Sequence, residues 1–207
     1  MKKRLTNYDT LLKITQHISQ SRDFEDVTLL VVSGLRNALL AKGAALFLID
    51  NKSQELKLVS SAGLSDEYLD KGPINALRSI ADSLKDGPVA ISNVADDPRI
   101  QYPAEAQKEG IASILSVPII AREKPVGAIR VYTSEPWEVT LDDVNFVQAV
   151  AQISGMALET ARLYKGLKNS IEILKANRDP SQYRTGWTPH EGVPKSVEKD
   201  DAQPAGI

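Results

Sequence analysis

Between Ile111 and Val144 the chain reads IASILSVPIIAREKPVGAIRVYTSEPWEVTLDDV, and this stretch restricts the fold more than any other. An apolar run ends in Val117-Pro118, a polar segment occupies Arg122 to Pro125, and a second apolar run opens at Gly127. That order predicts two antiparallel strands joined by a hairpin tip, then a loop and a helix. Thr140, with Asp143 three residues later, gives the helix a capping-box-like start. Side chains alternate along the second strand, so Gly127, Ile129 and Val131 share one face and Ala128, Arg130 and Tyr132 the other. The first set suits a helix-packed core. The second puts a guanidinium and a phenol beside apolar area, which suits a cavity for an anionic or polar small molecule. No residue of the stretch looks catalytic.

Upstream, Leu5, Tyr8, Leu11, Leu12, Ile14 and Ile18 recur at helical spacing and predict an amphipathic entry helix over residues 5–21. A second helix is expected from Phe24 to about Ala41, with Asp23 as N-cap, Val27, Leu30, Val31, Leu35 and Ala38 inward, and Gly34 permitting close packing. Residues 43–50 and 55–62 predict a hairpin around Asn51 to Gln54, the second strand alternating Leu56, Leu58 and Ser60 with Glu55, Lys57 and Val59. Residues 63–110 are less regular: a short helix near Asn75 to Leu84, a strand at Pro88 to Asn93, a loop carrying Asp97-Pro98-Arg99, and a helix around Pro103 to Lys108.

Along the final helix Val150, Ala157, Tyr164 and Ile171 recur every seven residues, as do Ile153, Thr160, Leu167 and Leu174, offset by three. A double heptad is what a two-stranded coiled coil requires. Packing on the sheet alone accounts for the pattern up to about Ala161; beyond it, pairing with another helix is the preferred reading. After Ala176, Pro180, Pro189, Pro194 and Pro204 lie among glycines, charges and isolated apolar residues, which predicts a disordered tail with Trp187 as its one large anchor.

At 207 residues, 42% of them hydrophobic, the chain can bury the core of one domain plus extensions. Its net charge of -2 comes from interspersed residues, with Lys2-Lys3-Arg4 the only basic run, so nucleic acid is not an expected partner. Neither a signal peptide nor an apolar run of membrane-spanning length is present, and the expectation is a cytoplasmic protein without a membrane partner. The chain has no cysteine, which excludes disulfides, cysteine-based metal sites and thiol nucleophiles. His17 and His190 are too far apart for a helical metal pair, and Ser196 with Lys199 matches Ser-x-x-Lys only within the expected tail. Neither GxxxxGK nor GxGxxG occurs.

Taken in order, SSAGL at 60–64, GPVAISNV at 87–94, DPR at 97–99, GIASILSVPI at 110–119, VGAIRVY at 126–132 and VQAVAQISGMALETARLY at 147–164 resemble the GAF domain family. The resemblance spans about Phe24 to Leu163. It implies an α+β, GAF/PAS-like fold: an antiparallel five- or six-stranded sheet, N- and C-terminal helices on one face and a ligand-side segment on the other. The implied organisation is an N-terminal helix over 1–22, the GAF domain over 23–163, a helical extension over 164–176 and the tail over 177–207. Two activities of the family, thioether attachment of a bilin and thiol-dependent reduction of free methionine sulfoxide, require a cysteine that is missing here. Cyclic-nucleotide-binding members carry an Asn-Lys pair ending the last strand and a later Phe followed by Asp-Glu; Tyr132-Thr133, Val139 and Asp143-Val144 match at one position of five.

The resemblance further implies a ligand cavity between the sheet and residues 64–109. Candidate ligand-binding residues are Arg130 and Tyr132 with Leu64, Tyr68, Ile80, Asn93, Asp97 and Arg99. Arg99 could clamp a carboxylate or phosphate with its planar fork, or form a structural salt bridge to Asp96 or Asp97, and the second reading is preferred because DPR recurs in GAF domains with unrelated ligands. For Arg130 a ligand contact and a surface ion pair stand level. The expected function is a non-enzymatic, standalone bacterial sensor of an unidentified small molecule, homodimeric and signalling through its terminal helices to a separate partner protein. A structural dimerisation module with a vestigial pocket is the alternative. No catalytic residue, metal site or particular cofactor is implied.

Overall fold

The computed structural model describes residues 2–20, 24–50, 52–72, 74–75 and 87–176. The predicted helix near Asn75 to Leu84, the Asp23 cap and the whole tail with Trp187, His190 and Ser196 lie outside them, except that Asn75 itself is in a strand. Chain contacts divide into two compact units, Met1–Lys165 and Gly166–Ile207. In the second, the described residues are helical and exposed.

The first unit contains helix α1 (Lys2–Gln20), α2 (Phe24–Ala38), strands β1 (Gly43–Ile49) and β2 (Glu55–Ala62), and the short helix α3 (Asp66–Leu69). Strands β3 (Ile74–Asn75) and β4 (Val89–Ile91), helix α4 (Pro103–Lys108), and strands β5 (Ser113–Ala121) and β6 (Lys124–Thr133) follow. The last helix, α5, is Leu141–Ala176. The strands form one antiparallel sheet in the order β3-β2-β1-β6-β5-β4.

Alternation divides the core into two layers, as β6 predicts. On one face Leu46, Leu115, Val117, Ile119, Ile129 and Val131 meet Val31, Val32 and Leu35 of α2 and Phe146, Val147, Val150 and Ala151 of α5. Helix α1 joins this layer through Ile14, whose Cδ1 would lie 3.2 Å from a Cβ on Gly34, so the predicted close packing at that glycine is present. On the other face Ala45, Phe47, Leu56, Ile91, Ile114, Ala128 and Tyr132 meet Tyr68, Val94, Ala106 and Ile111 from the connecting segments.

Several details of these elements differ from the expectations, β4 for instance being confined to Val89–Ile91, and four have a local physical reason. Helix α2 ends at Ala38 rather than near Ala41 because Leu40 turns left-handed at φ 51, with Ala41 N donating to Arg36 O at 2.9 Å and Leu40 N to Asn37 O at 3.4 Å. That pair of bonds is a Schellman stop. In β2 the register shifts between Leu46 and Phe47 and leaves Val59 as a bulge, so Ser60 pairs with Leu46 of the helix face while Leu58 pairs with Phe47 of the other. The uniform alternation predicted for Leu56, Leu58 and Ser60 breaks there. Strand β5 continues past Val117-Pro118 to Ala121; Pro118 lies beyond Ser116, the last residue that β4 pairs with, so no described strand needs an N–H from it on that side. The hairpin tip is only Arg122-Glu123, both at positive φ (47 and 62), and β6 begins at Lys124.

The capping box at α5 forms as expected: Thr140 Oγ1 donates to Asp143 Oδ2 at 2.8 Å and Asp143 N donates back to Thr140 Oγ1 at 3.2 Å. Two contacts tie α5 to the β5–β6 hairpin. Arg122 Nε lies 2.5 Å from Glu159 Oε1, and a Cβ on Gly155 would stand 2.5 Å from Ile120 O. Among the described residues no helix is long and apolar enough to cross a membrane.

Candidate functional site

The outward face of β6 presents Ala128, Arg130 and Tyr132, all of them buried: Arg130 is 6% exposed and Tyr132 0%. Pairing with β1 opposes Arg130 to Ala45 and Ala128 to Phe47. The guanidinium Cζ rests 5.4 Å from the Phe47 ring centroid, a cation–π distance.

Tyr68 covers this face from α3. Its position comes from the helix start, where Ser65 Oγ accepts from Tyr68 N at 3.2 Å and Ser65 N and Oγ both donate to the Glu109 carboxylate. Glu109 is held from the other side by Lys42 Nζ at 3.6 Å. Burial raises the Glu109 pKa, but the Ser65 hydrogen bonds and the Lys42 charge outweigh it and keep the carboxyl below its ordinary value. Thus anchored, Tyr68 meets Tyr132 edge to face with ring centroids 5.9 Å apart.

Lys71 closes the group, its Nζ 3.4 Å from the Tyr68 ring centroid and donating to Tyr68 O at 2.8 Å. Gly72 follows at φ 125, where a Cβ would come within 2.9 Å of Tyr102 Oη, so the chain can turn here only without a side chain. Burial, then the Arg130 charge, lower the Lys71 pKa to about 8, while Glu105 and Glu109 act the opposite way. Burial raises both tyrosines above the ordinary phenol range, and the Arg130 charge opposes this in each. The Tyr132 hydroxyl is fully buried, with Arg130 and Tyr68 as its polar neighbours. Beside Tyr68 opens a cavity of about 360 Å³, lined also by Ser65, Glu67, Ala104, Glu105, Lys108 and Glu109.

The fold therefore gathers Arg130, Tyr132 and Tyr68 of the candidates. Leu64 packs against the edge of the same cluster, beneath Gly43, where a Cβ would stand 2.7 Å from its Cδ2. Asn93, Asp97 and Arg99 lie in the loop after β4, whose Val94 and Ile100 pack in the same layer, and their side chains bond within that loop. Asn93 bonds Ala95 N and Asp96; Asp97 accepts from Arg99 N, Nε and Nη2, the last at 2.5 Å; and Arg99 Nη2 also reaches Ala90 O at 3.4 Å. The Arg99 hydrogen bond holds the Asp97 pKa down. This is the structural salt bridge preferred for Arg99 over a ligand clamp. Arg130, by contrast, does not lie on an exposed sheet surface. Ile80 is outside the described residues.

Lys71, Phe47 and Glu109 were not legible as members of the group. Lys71 lies in a short irregular segment without periodicity, and Phe47 read only as core. The single cue was Phe47's parity with Ala45 along β1. No group of three metal-ligating side chains occurs among the described residues.

The sequence matches the GAF domain family over residues 21–159. No curated protein sequence matches it. Among solved structures, the GAF domain of a Coxiella burnetii phosphoenolpyruvate-protein phosphotransferase is 21% identical, with TM-score 0.71, 79% of this chain and 98% of that chain covered. The GAF domain of an Acinetobacter phosphoenolpyruvate-protein phosphotransferase is 23% identical, with TM-score 0.66 and coverages of 75% and 94%. The free methionine-R-sulfoxide reductase of Neisseria meningitidis, solved with its substrate, is 17% identical, with TM-score 0.67 and coverages of 78% and 93%. With a family match across most of the chain and the same two-layered sheet, this protein belongs to the GAF domain family.

Proposed function

We propose that the chain is a non-enzymatic regulatory module of the cytoplasm that binds a small molecule on the outer face of β6 and signals through its terminal helices as a homodimer. The observation that carries this reading is the Arg130–Tyr132–Tyr68 group: polar functions set into an otherwise apolar layer, opposite the face that holds the helices. A guanidinium and two phenols converging beside apolar area are the few placed polar groups that a small-molecule site uses. The sulfoxide reductase among the similar structures supports a small molecule on this fold. Absence of cysteine argues against that enzyme's thiol chemistry in this chain. The signal would pass to a separate partner protein, and the ligand must bind two helix arrangements with different affinity for any signal to arise.

Dimerisation rests on α5, where Tyr164, Leu167, Ile171 and Leu174 continue the heptads and are 50%, 60%, 43% and 69% exposed. The second reading, a dimerisation module with a vestigial pocket, is favoured by one observation: its own aromatic rings fill much of the outer layer.

Native mass spectrometry of freshly purified protein, followed by thermal-shift measurements against a broad metabolite library, separates them. A retained or stabilising small molecule, lost in Arg130→Gln and weakened in Tyr132→Phe, supports the sensor. If no compound binds and both variants signal as the parent does, the scaffold reading replaces it.

A further inference from the structure

Arg130 and Tyr132 lie on a face closed by its own packing, where Ala45, Phe47, Ile114 and Ala128 beside them are buried as well. A molecule reaches that face only if something covering it moves. Tyr68 stands edge to face against Tyr132, and among the described residues it is the one member of the outer layer that also lines the cavity between α3 and α4. That cavity, of about 360 Å³, has the volume of about twelve waters in the liquid and takes a phenol ring with room to spare. The backbone of α3 need not follow the ring, because Ser65 and Glu109 tie its start and Lys108 pairs with Glu67. A tyrosine in a helix has two staggered χ1 wells open to it, so a second ring position is one rotamer away.

Resting on the sensor reading, we propose that Tyr68 is the gate of the site: its ring turns into the cavity between α3 and α4, and the ligand, a compact molecule built on one flat ring, takes the vacated place against Tyr132. Volume sets the ring, since the surrounding side chains are close-packed and a group larger than the one withdrawn would force them apart. Chemistry sets a polar substituent. Withdrawing Tyr68 leaves the buried Tyr132 hydroxyl with one polar neighbour fewer, which a purely hydrocarbon ring would not replace. The Lys71 ammonium, over the Tyr68 ring at 3.4 Å and donating to the Tyr68 carbonyl at 2.8 Å, braces the closed position. The ligand thus competes with a side chain of the protein for one place, which reconciles a filled outer layer with a binding site.

The test uses the full chain, with para-cresol, the tyrosine side chain as a free molecule, and toluene, the same ring without its hydroxyl, as probes. Methyl resonances are followed by NMR during titration of the parent, Ala104→Phe, Tyr68→Ala and the double variant. Ala104 lines the cavity and is exposed, so a phenylalanine there blocks the swing of the ring without touching the sheet. Para-cresol should bind the parent saturably, with nuclear Overhauser contacts to the Ala45 and Ala128 methyls, and about tenfold more weakly in Ala104→Phe. With Tyr68→Ala no ring has to move, and adding Ala104→Phe should then change the affinity by less than about twofold. Toluene should bind the parent more weakly than para-cresol. Contacts to the Ala104 methyl alone, equal affinity in parent and Ala104→Phe, saturable binding only once Tyr68 is removed, or toluene bound as tightly overturns the inference. Should Tyr68→Ala fail to fold, the parent and Ala104→Phe decide it by affinity and by the contacts to Ala45 and Ala128. A metabolite retained in native mass spectrometry, lost in Arg130→Gln and held equally by Ala104→Phe would overturn the gate while the sensor reading stands; absence of any ligand, para-cresol included, removes both.

Discussion

Leu40 stands where a helix stop usually places glycine. Its φ of 51 costs a branched side chain about 1 kcal/mol, and at 91% exposure the side chain recovers almost nothing by packing. Leu40→Gly should therefore raise the unfolding free energy by up to about 1 kcal/mol, read as a higher urea midpoint at unchanged slope; a lowered midpoint would show that Leu40 is covered in solution. Tyr132→Phe tests the opposite balance. Its buried hydroxyl makes no hydrogen bond of good geometry and has only Arg130 and Tyr68 as polar neighbours, so removing it should change stability by less than about 1 kcal/mol while ligand affinity falls. At the first hairpin Asp50 accepts from Lys52 N and Ser53 N and pairs with Lys57, and these contacts lower its pKa from 3.8 to about 2. A lowered folded-state pKa contributes stability above the unfolded value and loses it as pH falls toward 2. An acid titration should accordingly lose a shallow step between pH 4 and 2 in Asp50→Asn.

Single elements carry their own tests. Thr140→Ala removes both the donor and the acceptor of the α5 capping box and should cost about 1 kcal/mol by chemical denaturation. The longer strands and helices and the start of α5 were legible because a capping pair and a strand alternation are local patterns, whereas α3 and β3 were not, and of the heptad positions singled out along α5 only Val150 joins the core, beside Phe146, Val147, Ala151 and Leu158. Residues 126–132 told both faces of β6 correctly. Two things escaped. The Val59 bulge is a property of the β1–β2 pair, and nothing in ELKLVSSA alone marks the extra residue. Likewise, Lys71 joins the group only through Tyr68, which Ser65 and Glu109, far apart in the chain, hold in place. Arg99 was half legible: DPR is a local motif, and its salt bridge to Asp97 is a local contact.

For the molecule as a whole, the exposed apolar residues of α5 predict an oligomer. Truncation before Tyr164 should yield monomers in sedimentation velocity, and so should Leu167→Asn with Leu174→Asn in the full chain; unchanged mass in both would refute pairing through these heptads. Gly155 adds a mechanical consequence. The helix already touches the carbonyl of Ile120 as closely as a backbone can, and Arg122 and Glu159 hold the same junction one turn further on. Such a point admits no side chain: a methyl group there would have to lift α5 off the strand or collide with the Ile120 carbonyl.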